Sequence, residues 1–386
     1  MRVPSLPRRP FGLIASALLS LLLLFPVGNG WAQFGSLRIA TWNVTDYGGP
    51  GARDADFQNV FYGVFEDRQF APDVLLGQEF LSQSAVNSFV SLLNTAVGSP
   101  GDWAAAPFLN GPDTDSAFFY RAGKVAYQGT STVSLGSPGA SEPPRNTYRY
   151  DVQVLGDSDG SRLSLYSSHM ASQGNPVARR LTEAQRIRDD AENLPAGTHF
   201  LLGGDFNVTS SGGSAYAELT GAQASDAGRF FDPIGTPGSW NNNPAYRFVH
   251  TQAPGGGGGG MDDRFDFLLT SASLGDGSGL DYAGFFGTPY STTTWDDPNH
   301  SYRAWGNDGT SFNETLTVTG NQMVGASVAR SLVNTATNGG HLPVFMDLRF
   351  NAAAVPEPGT GALVLVGVLG MLGGRRLARR RHLRRV

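Results

Sequence analysis

The chain contains no cysteine. That absence excludes a disulfide framework, a thiolate-bound zinc or iron-sulfur centre and a thiol nucleophile, so any bound metal must rest on oxygen or imidazole. Charged residues make up only 16% of the 386 positions. Glycine and proline together are about a fifth of the chain, short of the share that marks low complexity. A disordered or collagen-like chain is excluded, no internal repeat is present, and the length suffices for one large or two ordinary domains.

Composition changes sharply at both ends. Arg2, Arg8 and Arg9 precede an apolar run from Phe11 to Val27, broken by Pro26, Gly28 and Gly30 and followed by small residues up to Ala32. This pattern predicts a signal peptide over 1–32, removed by signal peptidase. At the other end Pro356-Glu357-Pro358 precedes an apolar stretch, 361–374, and then an arginine cluster. The segment 351–386 resembles a bacterial PEP-CTERM sorting tail. A helix over 359–374 would span about 24 Å, marginal for a bilayer core, and its arginines would stay cytoplasmic. The resemblance implies cleavage at Pro-Glu-Pro by an exosortase-type enzyme. The expected product is exported to the cell surface or beyond, touching the membrane only through its terminal segments. Without these ends the formal charge is about −14, which opposes strong nonspecific attraction of polyanions.

Between the ends, 33–350 reads as one α/β domain. Leu37 to Val44, Val74 to Gln78, Phe118 to Tyr120, Tyr148 to Leu155, Leu163 to Ser167, Phe200 to Leu202, Phe265 to Leu269 and Val344 to Phe350 have strand character. Ser84 to Val97 and Val177 to Leu194 have helical spacing. The six glycines at 255–260 predict a surface loop, and 275–338 is long enough to be an ordered insertion.

Polar motifs gather at strand ends: Thr41-Trp42-Asn43, Gly77-Gln78-Glu79, Ser168-His169, Gly204-Asp205-Phe206-Asn207, Arg264-Phe265-Asp266 and Gly340-His341. Each alone is weak, since Asp and Asn also serve ordinary turns. In order and spacing the set resembles the endonuclease/exonuclease/phosphatase superfamily, over nearly all of 37–350. The resemblance implies a four-layer αββα sandwich of two mixed β-sheets flanked by helices. It also implies phosphoester hydrolysis by metal-activated water.

Carried onto this sequence, the resemblance makes Glu79 the principal ligand of Mg²⁺ (or Mn²⁺ or Ca²⁺), with Asn43 helping to hold the metal or its water. Asp205 would orient or deprotonate the attacking water, and Asn207 would offer its amide to the phosphoryl oxygen if the segment is extended. His169 would stabilise developing charge, and Arg145 would clamp a phosphate, with Tyr148 and Arg149 as rivals. His341 would pair with Asp266, with Asp262 and Asp263 as nearby alternatives. His199, His250 and His300 read as structural. Two departures stand out: Thr45 where several relatives carry an acid, and Gly340 where most carry Asp. The second removes a carboxylate or supplies a backbone angle that Asp cannot adopt.

A secreted nuclease acting on DNA is the first expectation for substrate, with Trp295, Tyr302 and Trp305 able either to stack on bases or to form core. The alternatives are a phosphatase or phospholipid phosphodiesterase, and a noncatalytic surface or matrix protein on the same fold.

Overall fold

The structure is a computed structural model that describes residues 34–139, 141–337 and 339–353. The expected signal and sorting segments lie outside the described residues. Among these residues no helix is long and apolar enough to cross a membrane.

Two β-sheets carry the fold. The first has the order β10-β12-β1-β2-β4-β3, built from β1 (Phe34–Tyr47), β2 (Val74–Phe80), β3 (Trp103–Ala105), β4 (Asp115–Arg121), β10 (Asp281–Tyr282) and β12 (Val344–Asn351). A further strand, β11 (Arg303–Ala304), pairs with β12. The second sheet runs β5 (Val125–Ser134), β6 (Thr147–Val154), β7 (Arg162–His169), β8 (His199–Asp205) and β9 (Asp266–Thr270). Each sheet is antiparallel except for one parallel pair near its centre, β1 with β2 and β7 with β8. Both are therefore mixed.

Strand alternation sorts side chains between layers. Leu37, Ile39 and Leu76 meet Leu163, Leu165, Leu201 and Leu268 in a core between the sheets. Ala40, Trp42 and Leu75 point the other way, onto helices α1 (Asp54–Tyr62), α2 (Gln83–Thr95) and α5 (Gly325–Thr335). Tyr166, Leu202 and Phe267 cover the outside of the second sheet, under α3 (Pro176–Glu192) and α4 (Ser214–Thr220). The result is the four-layer α/β sandwich, each buried Leu or Ile contributing about 1.5–3 kcal/mol.

Local sequence explains the helices. Ser82 caps α2 by accepting from the Ala85 N–H, and the stripe Val86, Phe89, Leu93 buries it. Pro176 opens α3, the parallel crossover between β7 and β8, yet the buried face of that helix carries Arg179, Glu183 and Arg188 beside Ala184 and Ile187.

The stretch 275–338 is woven into the first sheet rather than set apart from it. β10 and β11 both pair with β12, and α5 packs on the outer core through Val328, Ala329 and Leu332. Its aromatics follow: Tyr302 and Trp305 are buried, Trp305 stacked on Phe70, and Trp295 packs half-buried against the core. Tyr302 and Trp305 are core residues and not a base-stacking platform.

Candidate active site

Four of the polar motifs sit on the ends of the two parallel pairs, and the other two lie at the starts of the neighbouring antiparallel strands β9 and β12. Parity alone places four of the residues. Asn43 follows Leu37 and Ile39 on the inward face of β1, and His169 follows Leu163 and Leu165 on β7. Asp205 follows Leu201 on β8, and Asp266 precedes Leu268 on β9. The pairs His169 with Asp205 and Asp205 with Asp266 are direct strand neighbours. The tightness of β8 against β7 depends on Gly204, where a Cβ would overlap the Ser168 carbonyl oxygen.

Glu79 has the wrong parity. A regular strand would send it outward with Leu75, but its φ of 66° turns the carboxylate inward. There Oε1 accepts from Asn43 Nδ2 at 2.9 Å and Oε2 from the Asp46 N–H at 3.0 Å. Thr45 (φ 55°) and Asp46 (φ 48°) are left-handed as well, so strain of order 1–3 kcal/mol per residue is concentrated here. Arg53 sustains the turn, donating to the Val44, Thr45 and Thr335 carbonyls at 2.7–3.0 Å.

Asp205 is the hub. Its Oδ1 accepts from the Asn207 N–H at 3.0 Å, and its Oδ2 from Asn43 Nδ2 at 3.2 Å. His169 Nε2 lies 3.3 Å and His341 Nε2 lies 3.6 Å from the same Oδ2. His341 Nδ1 donates to Asp266 Oδ2 at 2.7 Å, and the Thr251 hydroxyl donates to that oxygen at 2.6 Å. The pairing of His341 with Asp266 is therefore direct, while Asp263 is engaged by Asn241.

The electrostatics set the two imidazoles apart. Burial lowers His169, and the charges of Arg145 and His341 lower it further, both favouring the neutral ring. Burial also opposes charge on His341, but Asp266 and Asp205 outweigh it and push the group up to about 10. Asp205 is raised to about 6 by burial, against the pull of His341 and with the help of Asp266 and Glu79. Groups driven in opposite directions within one cluster are the usual mark of divided acid and base roles.

Two expected contacts take another form. Asn207 has φ 51°, so 205–207 is not extended, and its amide donates to the Met170 carbonyl at 3.0 Å, leaving one amide hydrogen for a ligand. Arg145 is held at the rim by Asp113 at 3.1 Å and Thr114 at 3.1 Å, where it still acts on His169. Its rivals are committed elsewhere: Tyr148 OH donates to the Leu109 carbonyl, and Arg149 pairs with Asp151 and Asp190. His199, His250 and His300 bond Ser273, the Trp240 and Met261 carbonyls, and Tyr282 with Thr288, outside this cluster.

The donor set suits a hard divalent cation. Three carboxylates face one cationic imidazole, leaving surplus negative charge in a buried pocket, and His169 Nδ1 has no partner 3.7 Å from Glu79 Oε1. Among the described residues no three acidic or imidazole side chains cage an ion by themselves, so one bound here would keep much of its water, as Mg²⁺ does. Glu79 is the carboxylate that could hold it. Asn43 turns its NH₂ toward both carboxylates while Thr45 N–H occupies its Oδ1, so it serves them as a donor unless the amide is turned over.

Thr45 and Gly340 lie against each other. A Cβ on Gly340 would overlap Thr45 Oγ1 and come within 2.7 Å of the Ala336 Cα. The φ of Gly340 is not among the positive ones, so the obstacle to a side chain is contact and not backbone angle. Gly340→Asp is expected to destabilise the protein by at least about 2 kcal/mol, read as a fall in the urea midpoint at unchanged slope. A variant as stable as wild type would contradict the contact.

No family model matches the chain, and no curated protein does. Solved structures do resemble it. An endonuclease/exonuclease/phosphatase from Bacteroides vulgatus aligns over 82% of this chain and 99% of its own at 14% identity, TM-score 0.48. A family protein of the same description from Bacteroides thetaiotaomicron aligns over 82% and 99% at 17% identity, TM-score 0.43. The human Nocturnin catalytic domain with bound sulfate aligns over 82% and 97% at 12% identity, TM-score 0.45.

Proposed function

We propose that the protein is a divalent-metal-dependent phosphoester hydrolase that acts on phosphodiesters. The observation that carries this reading is the convergence on Asp205 of Asn43 and His169, with Glu79 alongside, from the ends of both parallel strand pairs, and of His341 from the segment before β12. In this reading Asp205, fixed through Oδ1 by Asn207, takes a proton from the attacking water. The His341 cation, held by Asp266, faces the negative charge that grows on the phosphoryl oxygens, and the free Asn207 amide hydrogen adds a second donor. Glu79 would hold a divalent cation, which would supply charge neutralisation to the phosphoryl group and lower the pKa of water. Export to the cell surface, through the two terminal segments, belongs to the same proposal.

DNA is the first substrate to test, because a phosphodiester requires only that the two flanking groups find room. The burial of Tyr302 and Trp305 and the acidic overall charge favour a second reading, a small or lipid phosphoester. Release from plasmid DNA, bis-p-nitrophenyl phosphate and a phosphomonoester, each with and without EDTA, separates them. Hydrolysis of none of the three in Mg²⁺ or Mn²⁺ would refute the proposal. Glu79→Gln is expected to lose at least about 10²-fold in rate at low Mg²⁺ and to recover in part at high Mg²⁺, with native circular dichroism. Full activity in that variant would remove Glu79 as the ligand.

A further inference from the structure

Helix α3 carries a fully buried carboxylate that the chemistry above does not use. Glu183 is 0% exposed, its Oε1 has no partner, and burial raises it to about 8 against the opposing charges of Arg145, Arg179 and Arg180. A hydrophobic residue would fill the position without that desolvation penalty. What Glu183 does touch is the turn that leaves the active site. Its Oε2 accepts from the Ala171 N–H at 3.2 Å, and Arg180, one turn earlier on the helix, donates through Nη1 to the Ala171 carbonyl at 2.7 Å. Both polar groups of Ala171 are thus gripped by one face of α3. The preceding residue is fixed in the same way: Met170 N–H donates to the Asp205 carbonyl at 2.9 Å, and the Met170 carbonyl accepts from Asn207 at 3.0 Å.

We propose that Glu183 and Arg180 are positioning residues which clamp Ala171 and thereby hold His169 and the Met170 carbonyl that orients Asn207. The inference rests on the phosphoesterase reading of the site, and it assigns neither residue a contact with substrate. Displacing a catalytic group by about 1 Å costs up to about 10²-fold. Glu183→Ala is therefore expected to lower kcat about 10- to 100-fold with KM within about twofold, because substrate binding elsewhere is untouched. Glu183→Gln keeps a neutral acceptor for the Ala171 N–H and should stay within about threefold of wild type. In a His169→Ala background the Glu183→Ala loss should shrink, leaving only the part that runs through the Met170 carbonyl and Asn207, and in a His169→Ala/Asn207→Ala background it should fall below about twofold.

Amide hydrogen exchange tests the clamp without turnover. Ala171 should be protected in wild type and Glu183→Gln and exchange at least about tenfold faster in Glu183→Ala. Unchanged exchange at Ala171, or wild-type kcat in a folded Glu183→Ala, would overturn the proposal. A wild type that hydrolyses no phosphoester would refute the reading of the site, while the exchange result would still decide the clamp.

Discussion

His341→Ala is expected to lower kcat for a phosphodiester by about 10³-fold, the range seen when a single preorganised charge-stabilising donor is removed. The imidazolium is built into the fold: Asp266 Oδ2 holds Nδ1 at 2.7 Å, and Thr251 anchors that oxygen at 2.6 Å. Asp266→Asn keeps a possible acceptor but removes the charge that keeps the ring protonated. Its loss should approach that of His341→Ala if charge dominates and stay about tenfold milder if orientation dominates. In either case the double variant should lose little more than the worse single, because the two residues act as a unit. Steady-state kinetics on the four members of the cycle decide, and fully additive losses would contradict the pair. A check independent of turnover follows from linkage. A His raised from about 6.5 to about 10 on folding contributes stability that is complete below pH 6.5 and is lost as pH rises through 10. Wild type should therefore lose stability over that window, and His341→Ala should not lose this part of it.

Asp205→Asn should be the most damaging single change, about 10³- to 10⁴-fold in kcat, since general-base assistance alone reaches about 10⁴. Asn can still accept from the Asn207 N–H, so the geometry survives, but it cannot take a proton. The pH profile carries the signature. With Asp205 at about 6 before a cation is bound and His341 at about 10, wild-type kcat/KM should rise through an acid limb below the first value and fall through the second. A cation at Glu79 moves the acid limb down. The residual rate of Asp205→Asn should lack that limb. A variant retaining a tenth of wild-type activity, or an unaltered acid limb, would show that Asp205 is not the base.

Most of the constellation could be read from the sequence because strand parity is a local rule. Asn43, His169, Asp205 and Asp266 each lie an even number of residues from an inward-facing Leu or Ile, so identifying the strand identifies the face. Glu79 could be picked as a member of the cluster by its place at an apolar strand end, but not by parity. Its inward turn depends on a left-handed backbone held by Asp46 and supported by Arg53, which is long-range information. Asn207 was legible as a site residue but not in its geometry, for the same reason. Glu183 and Arg180 are two charges among several on α3, and nothing in helical spacing signals that a polar residue grips a loop. The weaving of 275–338 into the first sheet rests on strands of two residues, too short to leave a periodic trace.

Phosphoester hydrolysis is expected of the side chains gathered around Asp205. Its most direct test is the hydrolysis of bis-p-nitrophenyl phosphate by wild type and by the Asp205→Asn/His341→Ala double variant, in one Mg²⁺-titrated buffer with matched circular dichroism. Mg²⁺-dependent turnover by wild type and a loss of at least about 10³-fold in the variant are expected. Equal turnover by the two proteins would contradict that role.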